Sequence, residues 1–169
     1  MMFCQFDDQP KAGDNRMTTF THGRQINASP GAVFAAIEDP QRLARWWGPD
    51  GFTNSFSVFE FRVGGNWHFT MHGPDGTSYP NQSQFSEIVP NQRVVIRHVS
   101  QPSFSLSIDL HPSAGGTQVE WRQSFSDEKI AEAIRHIVVP ANEQNLARLA
   151  NEVEPTAKTG DETERSCSG

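Results

Sequence analysis

Hydrophobic and polar residues alternate from Thr18 to Phe125, and the spacing then becomes helical. Residues 18–27 ("TTFTHGRQIN") read as a first strand. Ser29 before Pro30 marks a helix start: the hydroxyl can cap free N–H groups, and a proline at the first position lacks only a donor that would stand idle. Val33, Phe34 and Ile37 supply the apolar face of that helix. Asp39–Pro40 repeats the device for a second short helix. Along it Leu43, Trp46 and Trp47 stand at i, i+3 and i+4, and Gly48–Pro49 stops it. Adjacent helical residues point about 100° apart. One tryptophan is therefore expected under the sheet's end, and the other, Trp47, at the lip of the space beside it.

Strands follow in series over 53–62, 66–72, 78–88, 92–99, 104–111 and 117–125. Short turns join them, at Val63–Gly64–Gly65, at "GPDG" (73–76) and at Gly115–Gly116. Alternation is plain at Trp67/Phe69/Met71, at Phe104/Leu106/Ile108/Leu110 and at Val119/Trp121/Phe125. Six sequential strands with short turns predict a curled antiparallel meander. Ser126 is expected to cap a short helix with Ile130 and Ile134 on one face. Pro140 disfavours helical geometry at Val139, so a break near 137–139 and a final helix over about 140–153 are predicted, with Leu146, Leu149 and Val153 buried. The class is α+β, in the order β-α-α-β6 followed by C-terminal helix.

Five stretches carry a resemblance: "INASPGAVFAAIEDPQRLARWWGPDGF", "FRVGGNWHFTMHGPDG", "FSEIVPNQRVVIRH", "GTQVEWRQSF" and "NEQNLARLANEV". Together they span roughly residues 20–153. In this run of turn words the chain resembles the SRPBCC (START, helix-grip) superfamily, and within it the branch named after the activator of the heat-shock protein 90 ATPase. The resemblance implies a curved antiparallel sheet gripping a long C-terminal helix, with a deep, mostly apolar cavity between them. It implies that the two small helices close one end of that cavity. Superfamily members bind lipids, sterols, hormones or polyketides, and a few are cyclases or aromatic-ring oxygenase subunits. The chain departs from the activator in showing no separate N-terminal co-chaperone domain.

Composition adds limits rather than a function. The 169 residues suffice for one domain, and 12 Phe and 4 Trp against 1 Tyr point to a phenylalanine-rich interior. Residues 1–16 read as a disordered extension before a second methionine, residues 17–153 as the domain, and residues 154–169 as a disordered acidic tail. The net charge is −6, of which −1 falls in residues 1–16 and −3 in residues 151–169. With no basic stripe, nucleic-acid binding is not expected. No stretch approaches the roughly 20 apolar residues of a membrane span, and no signal peptide is visible, so the expected location is cytoplasmic. Cys4 and Cys167 sit in the polar ends and read as free thiols. A homodimer through the outer sheet or helix faces is compatible with the sequence.

The candidate ligand-binding residues are Trp47, Phe52, Trp67, Met71, His98 and Trp121. Wide apolar walls with few polar groups suit a small apolar or amphipathic ligand, although plain core packing explains the same rings. His98 shares parity with Val94 and Ile96. It reads either as a lone polar group facing a pocket, able to orient a ligand or act as a base, or as a satisfied histidine at a strand end. His68 and His72 would adjoin on a helix, but on a strand they lie roughly 13 Å apart, so no metal is expected, and no cofactor. Glu87, Arg97, Glu120 and Arg122 read as a solvated sheet face with cross-strand pairs, although a bulge would reverse that parity. The expected function is binding of a small hydrophobic or amphipathic molecule between sheet and helix. Two alternatives stand beside it: a cyclase- or hydrolase-type enzyme using His98 or a carboxylate in the same pocket, and a chaperone-associated interaction module.

Overall fold

The chain was examined as a computed structural model, which describes residues 16–155; Cys4, Cys167 and nearly all of both end segments lie outside them. The elements run β1 (Thr18–Ile26), α1 (Pro30–Glu38), α2 (Pro40–Trp46), β2 (Thr53–Phe59), β3 (Asn66–His72), β4 (Ser78–Val89), β5 (Arg93–His98), β6 (Phe104–Ser113), β7 (Gly116–Phe125) and α3 (Glu128–Val153). All seven strands form one antiparallel sheet in the order β1-β7-β6-β5-β4-β3-β2. The first strand thus returns against the last, with His22 opposite Trp121 and Ile26 opposite Thr117. The α1–α2 connection has to carry the chain from one edge of the sheet to the other.

Both small helices begin as their sequences predict. The Ser29 hydroxyl accepts from the Ala32 N–H at 3.2 Å, and the Asp39 carboxylate accepts from the Gln41 N–H at 2.9 Å, with Pro30 and Pro40 at the first turns. Strand β2 ends at Phe59, three residues short of expectation, because a bulge between Phe56 and Val58 bends it out of register. A second bulge between Phe85 and Glu87 curves β4. Inward rows from the meander, among them Trp67, Phe85, Ile96, Ile108, Val119 and Trp121, join α1, α2 and the second half of α3 in one core. Phe20, Phe125 and Ala131 form a smaller cluster under the first half of α3.

The outer face of the sheet carries the charges. Glu87 and Arg97 are exposed, and Glu120 and Arg122 are partly so. Asp109, nearly buried, is the hub that parity did not single out: Arg93 donates to it at 2.9 Å and Arg122 at 3.3 Å, and the Ser107 hydroxyl also donates. Glu87 and Glu120 pair with the outer sides of the same two arginines. On that face His72 lies between the Ser55 and Ser78 hydroxyls, at 2.8 and 3.2 Å. No described helix is long and apolar enough to cross a membrane.

The C-terminal region differs from expectation in two respects. Its N-cap is Asp127, one residue after Ser126, and the carboxylate accepts from the Lys129 and Ile130 N–H groups. A carboxylate at a helix N-terminus also favours the helix dipole, which a serine hydroxyl cannot match. Nor is there a break at 137–139: α3 runs unbroken for 26 residues through Pro140. Pro140 is exposed and His136, the residue one turn earlier, is also exposed. The carbonyl that loses its helical partner therefore faces water, which lowers the cost of the proline. Pro140→Ala would restore one main-chain bond without removing a packed group. We expect it to stabilise the fold by about 1–3 kcal/mol, measured as a higher urea midpoint. An unchanged or lower midpoint would mean that the proline is required where it stands.

Candidate ligand-binding site

The doublet Trp46–Trp47 straddles the end of α2. Trp46 is the last helical residue; it is 1% exposed, and its indole N–H donates to the Ala36 carbonyl at 2.9 Å. Trp47 is the C-cap, with extended backbone at φ −66° and ψ 132°. The 100° rule for neighbouring helical residues stops applying at that point. Both rings therefore enter the same core, 5.7 Å apart, and Trp47 is only 7% exposed. This corrects the expectation of one core ring and one lip ring: both are core, and they differ in what holds their backbones.

Trp47 sits at the centre of an aromatic cluster. Its ring centroid lies 4.8 Å from Trp67, 5.7 Å from Trp121 and 6.2 Å from Phe69. Trp67 in turn stacks on Phe69 at 4.3 Å and meets Phe56 edge-on at 5.4 Å. Three of the six predicted residues thus converge, and their rings occupy the concave face beneath α2. Met71 packs on the rim of this core, close against Gly48: a Cβ placed on Gly48 would come within 2.7 Å of the Met71 methyl. The Met71 methyl could shift aside, so it is the φ of +95° that reserves position 48 for glycine. Phe52 stands apart, beside Tyr79 at 6.1 Å.

His98 faces inward and is 4% exposed, at the far end of the same concave face. Its ring stacks on Phe104 at 4.5 Å. Nδ1 donates to the Pro102 carbonyl at 2.9 Å, while Nε2 lies 2.8 Å from Asn81 Oδ1 and 3.2 Å from the Ser100 hydroxyl. Burial pulls its pKa below the usual histidine value, against the raising effect of those backbone bonds. In the neutral ring Nδ1–H is the donor to Pro102 and Nε2 accepts from the Ser100 hydroxyl, with the Asn81 oxygen a neighbour that this tautomer does not bond. The ring thus has the features of the satisfied strand-end histidine.

Sequence reading missed the residues that hold the Trp47 loop. Arg148, on α3, spreads its guanidinium over five main-chain carbonyls: Nη1 donates to Trp47, Gly48 and Pro49 at 3.2, 2.9 and 2.8 Å, and Nη2 to Arg45 and Phe52 at 2.8 and 2.9 Å. Asn54 donates to the Ala44 and Trp47 carbonyls. From α3, Asn145 Oδ1 accepts from the Gly48 N–H and Gln144 Oε1 from the Asp50 N–H. One turn on, Glu152 binds Arg45 at 2.6 Å and Arg42 at 3.1 Å. A surface depression of about 240 Å³ lies behind this clamp, lined by Arg45, Trp46, Arg148, Asn151 and Glu152. Another of about 300 Å³ lies at the far end of the sheet, among Arg97, Ser105 and Ser126. The only signal in sequence was "NEQNLAR", polar residues spaced along a helix whose apolar positions were already assigned.

Two further polar groups stand out. The indole N–H groups of Trp67 and Trp121 are buried with no acceptor in the protein. Buried indole donors ordinarily find one, as Trp46 does. Among the described residues no group of histidine, cysteine and carboxylate side chains could hold a metal ion.

The family described as Activator of Hsp90 ATPase homolog 1-like protein matches residues 27–154. Similar solved structures include a crystal structure of a Chromobacterium violaceum protein, 28% identical, with a TM-score of 0.72 and covering 82% of this chain and 99% of its own. A solution structure from Arthrobacter aurescens is 22% identical, with a TM-score of 0.76 over 88% of this chain and 93% of its own. A protein from Aeromonas hydrophila described as AHSA1-like is 18% identical, with a TM-score of 0.67 over 80% of this chain and 92% of its own. No curated protein matches the chain.

Two predictions follow from the clamp. Arg148→Ala removes the guanidinium from five carbonyls, of which that of Trp47 keeps Asn54 and that of Pro49 keeps the Phe52 N–H, and should cost about 2–4 kcal/mol in urea unfolding. Arg148→Lys should recover little of it, since an ammonium cannot span the same fork; full rescue by lysine would contradict the clamp. The second concerns pH. Hydrogen bonding to Arg45, helped by Arg42, holds the Glu152 carboxyl below its ordinary pKa. The stabilisation is therefore present above the unfolded-state value and is lost as pH falls through the folded one. Glu152→Gln should lower the urea midpoint at pH 7, and the gap should close as pH falls through and below the ordinary carboxylate range. A gap independent of pH would show that charge is not the cause.

Proposed function

Because the chain belongs to the Activator of Hsp90 ATPase homolog 1-like family, of the SRPBCC superfamily, we propose that it binds a small apolar or amphipathic molecule between the sheet and α3, in space that the Trp47 ring fills in this structure. The observation that carries this reading is the way Trp47 is held. Its ring is core, yet its backbone lies past the end of a helix and before the start of a strand. Its fastenings to α3 and β2 are side-chain hydrogen bonds from Arg148 and Asn54. Its N–H also donates to the Leu43 carbonyl at 3.0 Å as the last bond of α2, so moving the loop would break that one helix-terminal bond and these side-chain bonds but no strand ladder. Once Trp47 moves out, the vacated space is walled by Trp67, Trp121 and Phe69, with Met71 at its rim. Dehydrating that wall and the ligand together would supply the affinity. His98 contributes through its stack on Phe104, at the deep end. With both ring nitrogens engaged, it lends no specific support to base catalysis.

Native mass spectrometry of the full chain, purified without denaturation, tests the reading. A non-covalent adduct that is lost on unfolding is expected. Titration with acetylnaphthalene should also perturb tryptophan emission, and Trp47→Phe should remove most of that response. An adduct-free protein that shows no tryptophan response would contradict the proposal.

A further inference from the structure

We infer that the ligand is a planar aromatic molecule bearing an oxygen acceptor, to which the buried indoles of Trp67 and Trp121 donate. The inference rests on the binding reading above and adds the chemistry of the ligand. Two observations carry it. The first is shape: the space is one that an indole ring fills, with Trp67, Trp121, Trp46 and Phe69 each at 4.8–6.2 Å from the Trp47 centroid. Rings packed edge-on and tilted around a flat occupant suit another flat occupant, and a branched or coiled chain would leave voids.

The second observation is the pair of unpaired donors. Trp67 is 0% and Trp121 2% exposed, and neither indole N–H meets an acceptor in the protein. Both rings pack directly against the side chain that must leave. The indole rings supply packing that a smaller phenylalanine would not fill, but packing gives their N–H groups no partner. A carbonyl, phenol or carboxylate oxygen on the incoming molecule provides one. Elsewhere in an apolar core such an oxygen would weaken binding, because it would lose its water and gain nothing. Here it would gain a partner, so the sign of its effect is diagnostic.

The test compares two probes of one shape, acetylnaphthalene and isopropenylnaphthalene, in which a methylene replaces the carbonyl oxygen. Calorimetric titration is run on the full chain and on Trp47→Ala, which holds the space open if the loop rarely does so by itself. Acetylnaphthalene should bind about tenfold more tightly. It should also move the Trp67 or Trp121 indole N–H proton downfield in nitrogen-15 correlation spectra, while the Trp46 signal, bonded to Ala36, stays in place. That spectral readout needs no substitution in the core. Equal affinities, or a preference for the hydrocarbon, would overturn the acceptor while leaving the binding reading intact. Failure of both probes to bind either protein would overturn both.

Discussion

One guanidinium ties together the parts of this fold that the sheet cannot. The seven strands hold one another through their ladders, but the α1–α2 connection reaches β2 only after a left-handed turn at Gly48 and a proline at 49. Six carbonyls around that turn accept from side chains: Arg148 takes five of them, while Asn54 takes the sixth and shares that of Trp47, and the Pro49 carbonyl also accepts from the Phe52 N–H. The guanidinium suits the task because its donors are fixed in a plane and stay charged. Placing a cation where α2 exposes its last carbonyls also complements the helix dipole. Burial lowers the Arg148 pKa and Asp50 opposes that effect, in a group that remains protonated.

From this clamp the character of the core follows. Trp47 is held against Trp67 and Trp121 by a loop whose fastenings are polar and local, whereas Trp46 is fixed by its helix and by Ala36. The same doublet thus combines a permanent core residue with one whose position depends on a removable set of bonds. The wall behind it retains two donors without partners. Those two donors are the basis of the proposed oxygen-bearing occupant.

Much of the fold was legible because its signals are local. Ser29–Pro30 and Asp39–Pro40 fix the helix starts through their own caps, and the alternation at Trp67/Phe69/Met71 or Val119/Trp121 needs only one buried face. The errors arose where local and global preferences conflict. Pro140 penalises a helix locally, yet α3 continues because the packing of Leu146 and Leu149 on one side of it and Ala131 on the other outweighs one missing bond. The 100° rule separated Trp46 from Trp47, but Trp47 had already left the helix. Of the six candidate residues, Trp47, Trp67 and Trp121 converge, Met71 borders them, and Phe52 and His98 lie apart. Arg148, Asn54, Asn145 and Glu152 were hidden because their partners are main-chain carbonyls, N–H groups or side chains about a hundred residues away, for which sequence has no code; Asn54 lies close in the chain but serves the same loop.

The central claim is that residues 47–52 open as a unit while Trp46 and the sheet stay closed. Amide hydrogen exchange under native conditions measures this directly. The Trp47, Gly48 and Asp50 amides should exchange through an opening that is much less sensitive to urea than that of the β6 and β7 amides, and in Arg148→Ala, where the global stability falls as well, that difference in urea sensitivity should persist. If those amides exchange only with global unfolding, at the same rate and urea dependence as β6 and β7, the loop is part of the rigid core and Trp47 is simply packing.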